Sequence, residues 1–285
     1  MSGWRGFQWE PGWTAGSVKV TWLGTAGFCI ESDGQRLLLD PYLTRAPLGT
    51  AAFGRLVTDR ALIAPWTDGV VAIATGHTHF DHALDVPALA LASGAMVYGS
   101  TSAARLCRAG GVPEARITDV QGRPLPWETE VGPFRLRFVA SQHSRFLFGK
   151  VPYPGDISDC DQIPTRTGDY RCGAVFRIEI RVAGRTLVHV GSADLVDDAS
   201  SPIECDVALA CVAGWTSTKD YPERLVRALN PSHVLLSHWD NFFRPSVGGA
   251  RVLPTMRLPA LVERLGRASG GLRVGAIEIG ESIGV

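Results

Sequence analysis

Among the 285 residues, no uninterrupted apolar run approaches the roughly 20 that span a bilayer, so no membrane-crossing helix is expected. Net charge is missing too. Lys plus Arg is 28, Asp plus Glu is 28, and the formal charge is +0. A nucleic-acid partner normally leaves a basic footprint, so none is expected. Cys-x-x-Cys does not occur among the six cysteines (Cys29, Cys107, Cys160, Cys172, Cys205 and Cys211), which argues against a zinc ribbon. Cys29, Cys205 and Cys211 lie in apolar runs and read as buried small hydrophobes. Cys160 and Cys172 flank a polar loop. They could pair, but free thiols are the favoured reading, because Met1 to Phe7 has no apolar h-region of a secretory signal. A cytoplasmic chain is the expectation. There is no Gly-x-Ser-x-Gly elbow, and no repeat, heptad or low-complexity segment.

What the chain does have is concentrated at His77-Thr78-His79-Phe80-Asp81-His82. Three of its seven histidines and a carboxylate fall there, directly after the apolar run Val70–Ala74. A buried strand breaking at Gly76 into a polar loop is the reading. Loops at strand ends carry function because a rigid scaffold aims their side chains. Neutral imidazole and carboxylate are ligands for Zn²⁺ and similar cations.

Strands are expected near 18–23, 28–32, 36–40 and 70–74. A helix over 83–92 stopped by Gly94, a strand at 96–98 and a helix over 101–109 follow. Phe134 to Ala140 alternates as a half-exposed strand. Ala174 to Arg181 also alternates, and 186–190, 207–213 and 234–236 are apolar. Tyr221 to Leu229 is an amphipathic helix ended by Asn230-Pro231. A last helix over 256–265 and a last strand over 272–279 complete the reading. Residues 145–171, with Pro152, Pro154, Gly155, Pro164 and Gly168, have no period; so long a loop reads as a lid or another functional excursion. The aromatic, Gly-rich start (Trp4, Phe7, Trp9, Trp13) reads as an arm packed on the body. A contact with a membrane surface or with a second copy of the chain, making a homo-oligomer, is the sharper alternative.

His-x-His-x-Asp-His after a hydrophobic strand resembles the signature of the metallo-β-lactamase superfamily. Val18 to Glu31 and then Leu37-Leu38-Leu39-Asp40-Pro41 look like that family's opening: strand, glycine turn, strand, tight turn, and a strand ending in Asp-Pro. The Gly-x-Ala-Gly form and the Asp-Pro ending are similar to the branch holding ascorbate-phosphate lactonase-like proteins and N-acyl phosphatidylethanolamine phospholipase D. The resemblance implies one α/β domain over residues 1–285, a four-layer αβ/βα sandwich with an arm at 1–17. It implies one or two divalent metals per chain, Zn²⁺ foremost, with Mn²⁺ or Fe²⁺ as alternatives. His77, His79 and His143 would hold the first metal; Asp81, His82 and His238 the second. His189 and His233, inside apolar runs, read as core or supporting histidines, and Asp40 as a turn or supporting residue. The family's bridging carboxylate usually follows a strand as Gly-Asp. Here Ser192 stands in that place, and Asp194, two residues on, is the expected ligand.

The function implied is hydrolysis of an ester, lactone, amide or phosphodiester by a metal-activated water, with Asp81 orienting it. The substrate would be small or lipid-like with at most one or two charges. Arg145, Lys150 and Lys219 read first as solvated surface charges, with a contact to one anionic group near the pocket as the alternative. A redox di-iron protein is an alternative, though such relatives carry Glu where this chain has His79. A non-catalytic scaffold is another.

Overall fold

A computed structural model describes residues 4–9, 17–146, 149–197 and 203–285. The first sheet is built from β1 (Lys19–Gly24), β2 (Gly27–Ser32), β3 (Gln35–Leu39), β4 (Val70–Ala74), β5 (Met96–Gly99) and β6 (Ile117–Asp119). The second begins with β7 (Trp127–Val131), β8 (Phe134–Ala140), β9 (Phe176–Val182) and β10 (Arg185–Val190). It goes on through β11 (Val207–Cys211), β12 (His233–Ser237) and β13 (Arg273–Gly275). The last strand, β14 (Ser282–Gly284), returns to the first sheet beside β1. Each sheet has seven strands, ordered β14-β1-β2-β3-β4-β5-β6 and β13-β12-β11-β10-β9-β8-β7.

Period-2 alternation decides what each strand buries. Phe28, Ile30, Leu37, Leu39, Ala72 and Ala74 face the second sheet in one continuous core. Their neighbours Cys29, Leu38 and Ile73 point the other way, into a second core. That core lies under α4 (Val86–Ser93) and α5 (Thr101–Ala109), preceded in the chain by α1 (Leu48–Phe53), α2 (Arg60–Ile63) and α3 (Phe80–Ala83). The second sheet is covered by α6 (Tyr221–Leu229), burying Tyr221, Leu225 and Leu229, and by α7 (Leu258–Ala268), burying Leu258, Leu261 and Leu265. These are one-sided helical stripes facing a sheet. The layers are therefore helix, sheet, sheet, helix, as the resemblance implies. Gly94 stops α4 in the left-handed region at φ 78°.

Several expectations need correction. Phe176–Val182 does not alternate: all but Arg181 are buried, and the polar positions Arg177 and Glu179 are buried as an ion pair at 2.9 Å. The expected strand over 272–279 stops at Gly275. Ala276 instead bonds to the arm, its N–H donating to Phe7 and its carbonyl accepting from Trp9. The helices at 48–63 and the strand Trp127–Val131 lack a strong enough pattern to be read in advance. The arm packs on the body at Trp4, which is buried against Trp239 with ring centroids 5.2 Å apart. Trp13 lies outside the described residues. All six cysteines are free thiols.

β3, β4, β8, β10 and β12 all end on one rim, because β3 and β4 are parallel, β8 and β10 flank antiparallel β9, and β10 to β12 are parallel. Side chains just past these ends must converge.

Candidate metal centre

Asp40 follows β3, His77 follows β4, His143 follows β8, Gly191 follows β10, and His238 follows β12. Asp81 and His82 come from the short α3, started by His79. At this rim the two sheets are joined by main-chain bonds, Phe176 N–H to the Gly76 carbonyl at 2.8 Å and His238 N–H to the Thr25 carbonyl at 2.7 Å.

Three groups result whose nitrogen or oxygen ligand atoms lie within 4.8 Å of one another: His77, His79 and His143; Asp81, His82 and His238; and Asp40, His77 and His82. The His77 ring stands 4.9 Å from His79, 4.8 Å from His143 and 3.8 Å from His82, centroid to centroid. His77 is 1% exposed, and neither of its ring nitrogens has a hydrogen-bond partner. A buried imidazole left so is costly unless something else meets it.

The neighbours fix which nitrogens are free. A carbonyl oxygen only accepts, so His79 Nε2 donates to Pro152 (2.8 Å) and its Nδ1 lone pair is left over. By the same reasoning His143 Nδ1 donates to Ser144 (2.6 Å), leaving Nε2. His82 Nδ1 donates to Asp40 Oδ2 at 3.0 Å, again leaving Nε2. Supporting partners of this kind set tautomer and ring orientation in metal sites. An all nitrogen and oxygen donor set with preset lone pairs fits a divalent cation.

Asp40 is the hub. It is fully buried and also accepts from Gly76 N (2.6 Å) and His189 Nε2 (2.8 Å). Burial alone would raise its pKa, but His82 and His189 outweigh it and hold the carboxyl well below the usual range. Its fit is tight: a Cβ on Gly191 would stand 2.5 Å from Asp40 Oδ2, so that position must be glycine. Asp81, 3.3 Å from His238 Nε2, is likewise ionised. Burial opposes this, and His238 and His82 overcome it.

Burial, reinforced by the neighbouring rings, lowers His77 far below its ordinary value and brings His143 down to about 3. Burial lowers His79 as well. These rings are neutral at neutral pH, the form that binds metal. His82 is the exception. Burial would lower it, but Asp40 raises it.

Asp194 is a correction. Its Oδ1 accepts from Arg224 on α6 (2.9 Å) and from the Leu195 N–H (2.8 Å), and it joins none of the three groups. Ser192 stays beside the cluster, its Oγ accepting from Ser144 N–H at 3.0 Å. His189 is the supporting histidine expected. His233 is buried against Trp9, with ring centroids 5.5 Å apart. Missed entirely were the Pro152 and Ser144 carbonyls, and the buried pair Arg45–Asp240 (2.6 Å). Asp240 also accepts from Thr25 N, pinning the loop that His238 bonds. Main-chain acceptors leave no trace in residue types, although Asp240 stands two residues after a candidate ligand.

Above the cluster lies a cavity of ≈ 400 Å³ lined by Phe80, Phe146, Tyr153, Phe242, Phe243 and Leu253, with the hydroxyls of Ser144, Thr216, Ser217 and Thr255 among its other walls. Among the described residues, no lysine or arginine lines it. Arg145 and Lys150 lie outside it, and Lys219 lines a separate depression with Asp220 and Glu223. Phe146, Pro152 and Tyr153 bring the start of the 145–171 segment over the histidines. The remainder turns away, burying Ile157 and Tyr170 in the second core; Leu147 and Phe148 lie outside the described residues.

A family profile described as a β-lactamase superfamily domain matches residues 19–238. A UPF0173 metal-dependent hydrolase of Carboxydothermus hydrogenoformans is 26% identical over 230 residues, 79% of this chain and 86% of its own. One of Myxococcus xanthus is 28% identical over 236 residues, 80% and 73% of the two chains. Igni18, a metallo hydrolase of Ignicoccus hospitalis, superposes with a TM-score of 0.58 at 18% identity, covering 93% of this chain and 97% of that one; at that identity it shows the fold alone. The chain belongs to the metallo-β-lactamase superfamily and is a metal-dependent hydrolase of it.

Proposed function

We propose that the chain hydrolyses small uncharged carbonyl compounds (esters, lactones or amides) that carry an apolar group. The observation that carries this is a convergence of preset histidine lone pairs on the floor of an apolar cavity that has no lysine or arginine in its walls among the described residues. A phosphodiester would bring a permanent negative charge into this cavity and find no arginine or lysine to meet it.

We read His77, His79 and His143 as one ligand set and Asp81, His82 and His238 as the other. Zn²⁺ is the cation such N/O donors suit best. A bound cation supplies a water acidified toward neutral pH and polarises the carbonyl oxygen. The chain's own groups do the rest. Asp81, buried and ionised, accepts a hydrogen bond from the attacking water and aligns it. It is also the group that takes the water's proton and passes it to the leaving oxygen or nitrogen. Asp40 holds the His82 ring by its Nδ1–H, as Pro152 and Ser144 hold His79 and His143. Phe242, 4.3 Å from Phe243 and edge-on to His238 at 5.2 Å, forms the apolar wall nearest the second set. Phe146 and Tyr153 cover the opposite side, where we read residues 145–153 as the lid. A cavity near 400 Å³ admits one small molecule. Six free cysteines support a reducing, cytoplasmic setting.

The test is turnover by the Zn²⁺-loaded chain on nitrophenyl esters of increasing acyl length, on lactones and anilides, and on bis-nitrophenyl phosphate. Esters with apolar acyl groups are expected to lead. Preferential cleavage of the phosphodiester would overturn the substrate reading.

A further inference from the structure

Two doubly charged cations in one buried site need anionic ligands between them, since their repulsion is four times that of unit charges at the same separation. The acidic groups within reach can be accounted for one by one. Asp81 faces the cavity. Both Asp40 oxygens are already engaged, Oδ1 by Gly76 N–H and Oδ2 by His82 and His189. Asp194 is held by Arg224. Cys211, which reaches the cavity wall, donates its thiol hydrogen to the Ala213 carbonyl at 3.8 Å and so is neutral. Ser192 lines the cavity just past the end of β10, where the resemblance to the superfamily implies a shared carboxylate. Its hydroxyl oxygen is taken up by the Ser144 N–H and contacts Ser144 Oγ at 3.4 Å. Among the described residues, then, Asp81, itself a member of the second set, is the one anionic side chain that lines the cavity.

We propose that this site holds one divalent cation tightly and a second only weakly, and that Ser192 is the residue that sets the inequality. The inference rests on the metal-dependent reading above and concerns stoichiometry rather than turnover. The neutral hydroxyl leaves the shared position uncompensated, so filling the first set raises the cost of filling the second. A carboxylate at position 192 would supply the missing charge from the place the strand end already provides.

The experiment is titration of the metal-free full chain with Zn²⁺ against a chromophoric competing chelator, with elemental analysis after dialysis. One equivalent retained and a second lost is expected, the two dissociation constants differing by about 100-fold, the scale of loss when a supporting group is absent. Ser192→Asp is expected to retain two equivalents, and Ser192→Ala to behave as the wild type. Two equally tight equivalents in the wild type would overturn the inequality while leaving the metal-dependent reading intact. So would Ser192→Asp that keeps a native circular dichroism spectrum and still retains one. A wild-type chain that binds none would overturn both. Should Ser192→Asp not fold, the wild-type titration decides alone.

Discussion

The two proposed ligand sets are held by different chemistry. His79 and His143 lean on main-chain carbonyls, from Pro152 and Ser144, and their set carries no charge. His82 leans on a buried carboxylate, and its set contains another in Asp81. Behind His238 stands a third, Asp240, locked to Arg45. One half of the site is shaped by backbone, the other by charge. The buried carboxylates of the second half are each met by a donor, Asp40 by the His82 Nδ1–H and Asp240 by Arg45.

The largest effect that would probe the contrast is loss of a neutral ligand. His79→Ala is expected to abolish turnover and release the tightly held metal, by elemental analysis, while the circular dichroism spectrum stays native. Retention of a full equivalent would remove His79 from the ligand set. Next is Asp240→Ala, which strands Arg45 in the interior. A loss of about 3–5 kcal/mol is expected in urea unfolding, the cost of breaking a buried pair. A loss under about 1 kcal/mol, the scale of a surface pair, would show that water reaches Arg45.

How much of this was legible follows from where each group's information lies. The cluster at 77–82 was legible because four candidate ligands, His77, His79, Asp81 and His82, share one short segment. His143 and His238 were legible because each follows an apolar strand. Asp194 was misread because a sequence offset does not record side-chain direction: Arg224, on a helix 30 positions later, claims the carboxylate. Nothing in residue identity reports that Pro152 turns its carbonyl onto His79. The fold was legible where apolar runs were continuous, as at Val70–Ala74 and Val207–Cys211. It failed at Ser282–Gly284, three residues whose strand character comes wholly from pairing with Lys19, Val20 and Thr21.

Asp40→Asn sharpens the comparison by removing charge while keeping shape. Metal affinity is expected to fall about 10–100-fold, as when a carboxylate behind a ligating histidine is lost. An unchanged affinity in competition titration would mean that His82 needs no carboxylate behind it. Smaller again is Phe242→Ala, expected to raise KM for a long-chain ester about tenfold, a loss near 1.4 kcal/mol, with kcat nearly kept. A fall in kcat at constant KM would move Phe242 from substrate binding to the chemistry. The smallest effect is expected of Asp194→Ala: metal content as in the wild type, and stability lower by about 1 kcal/mol or less, the scale of a partly exposed ion pair. Loss of a metal equivalent would return Asp194 to the ligand set.

The most direct measurement is ester turnover followed through metal removal and return. The chain is stripped with a chelator, verified metal-free by elemental analysis, and assayed on an apolar nitrophenyl ester as Zn²⁺ is added back. Turnover should vanish with the metal and return in proportion to the first equivalent bound. Turnover that persists in the verified metal-free chain, or that never appears in the fully loaded one, would contradict metal-dependent hydrolysis at this site.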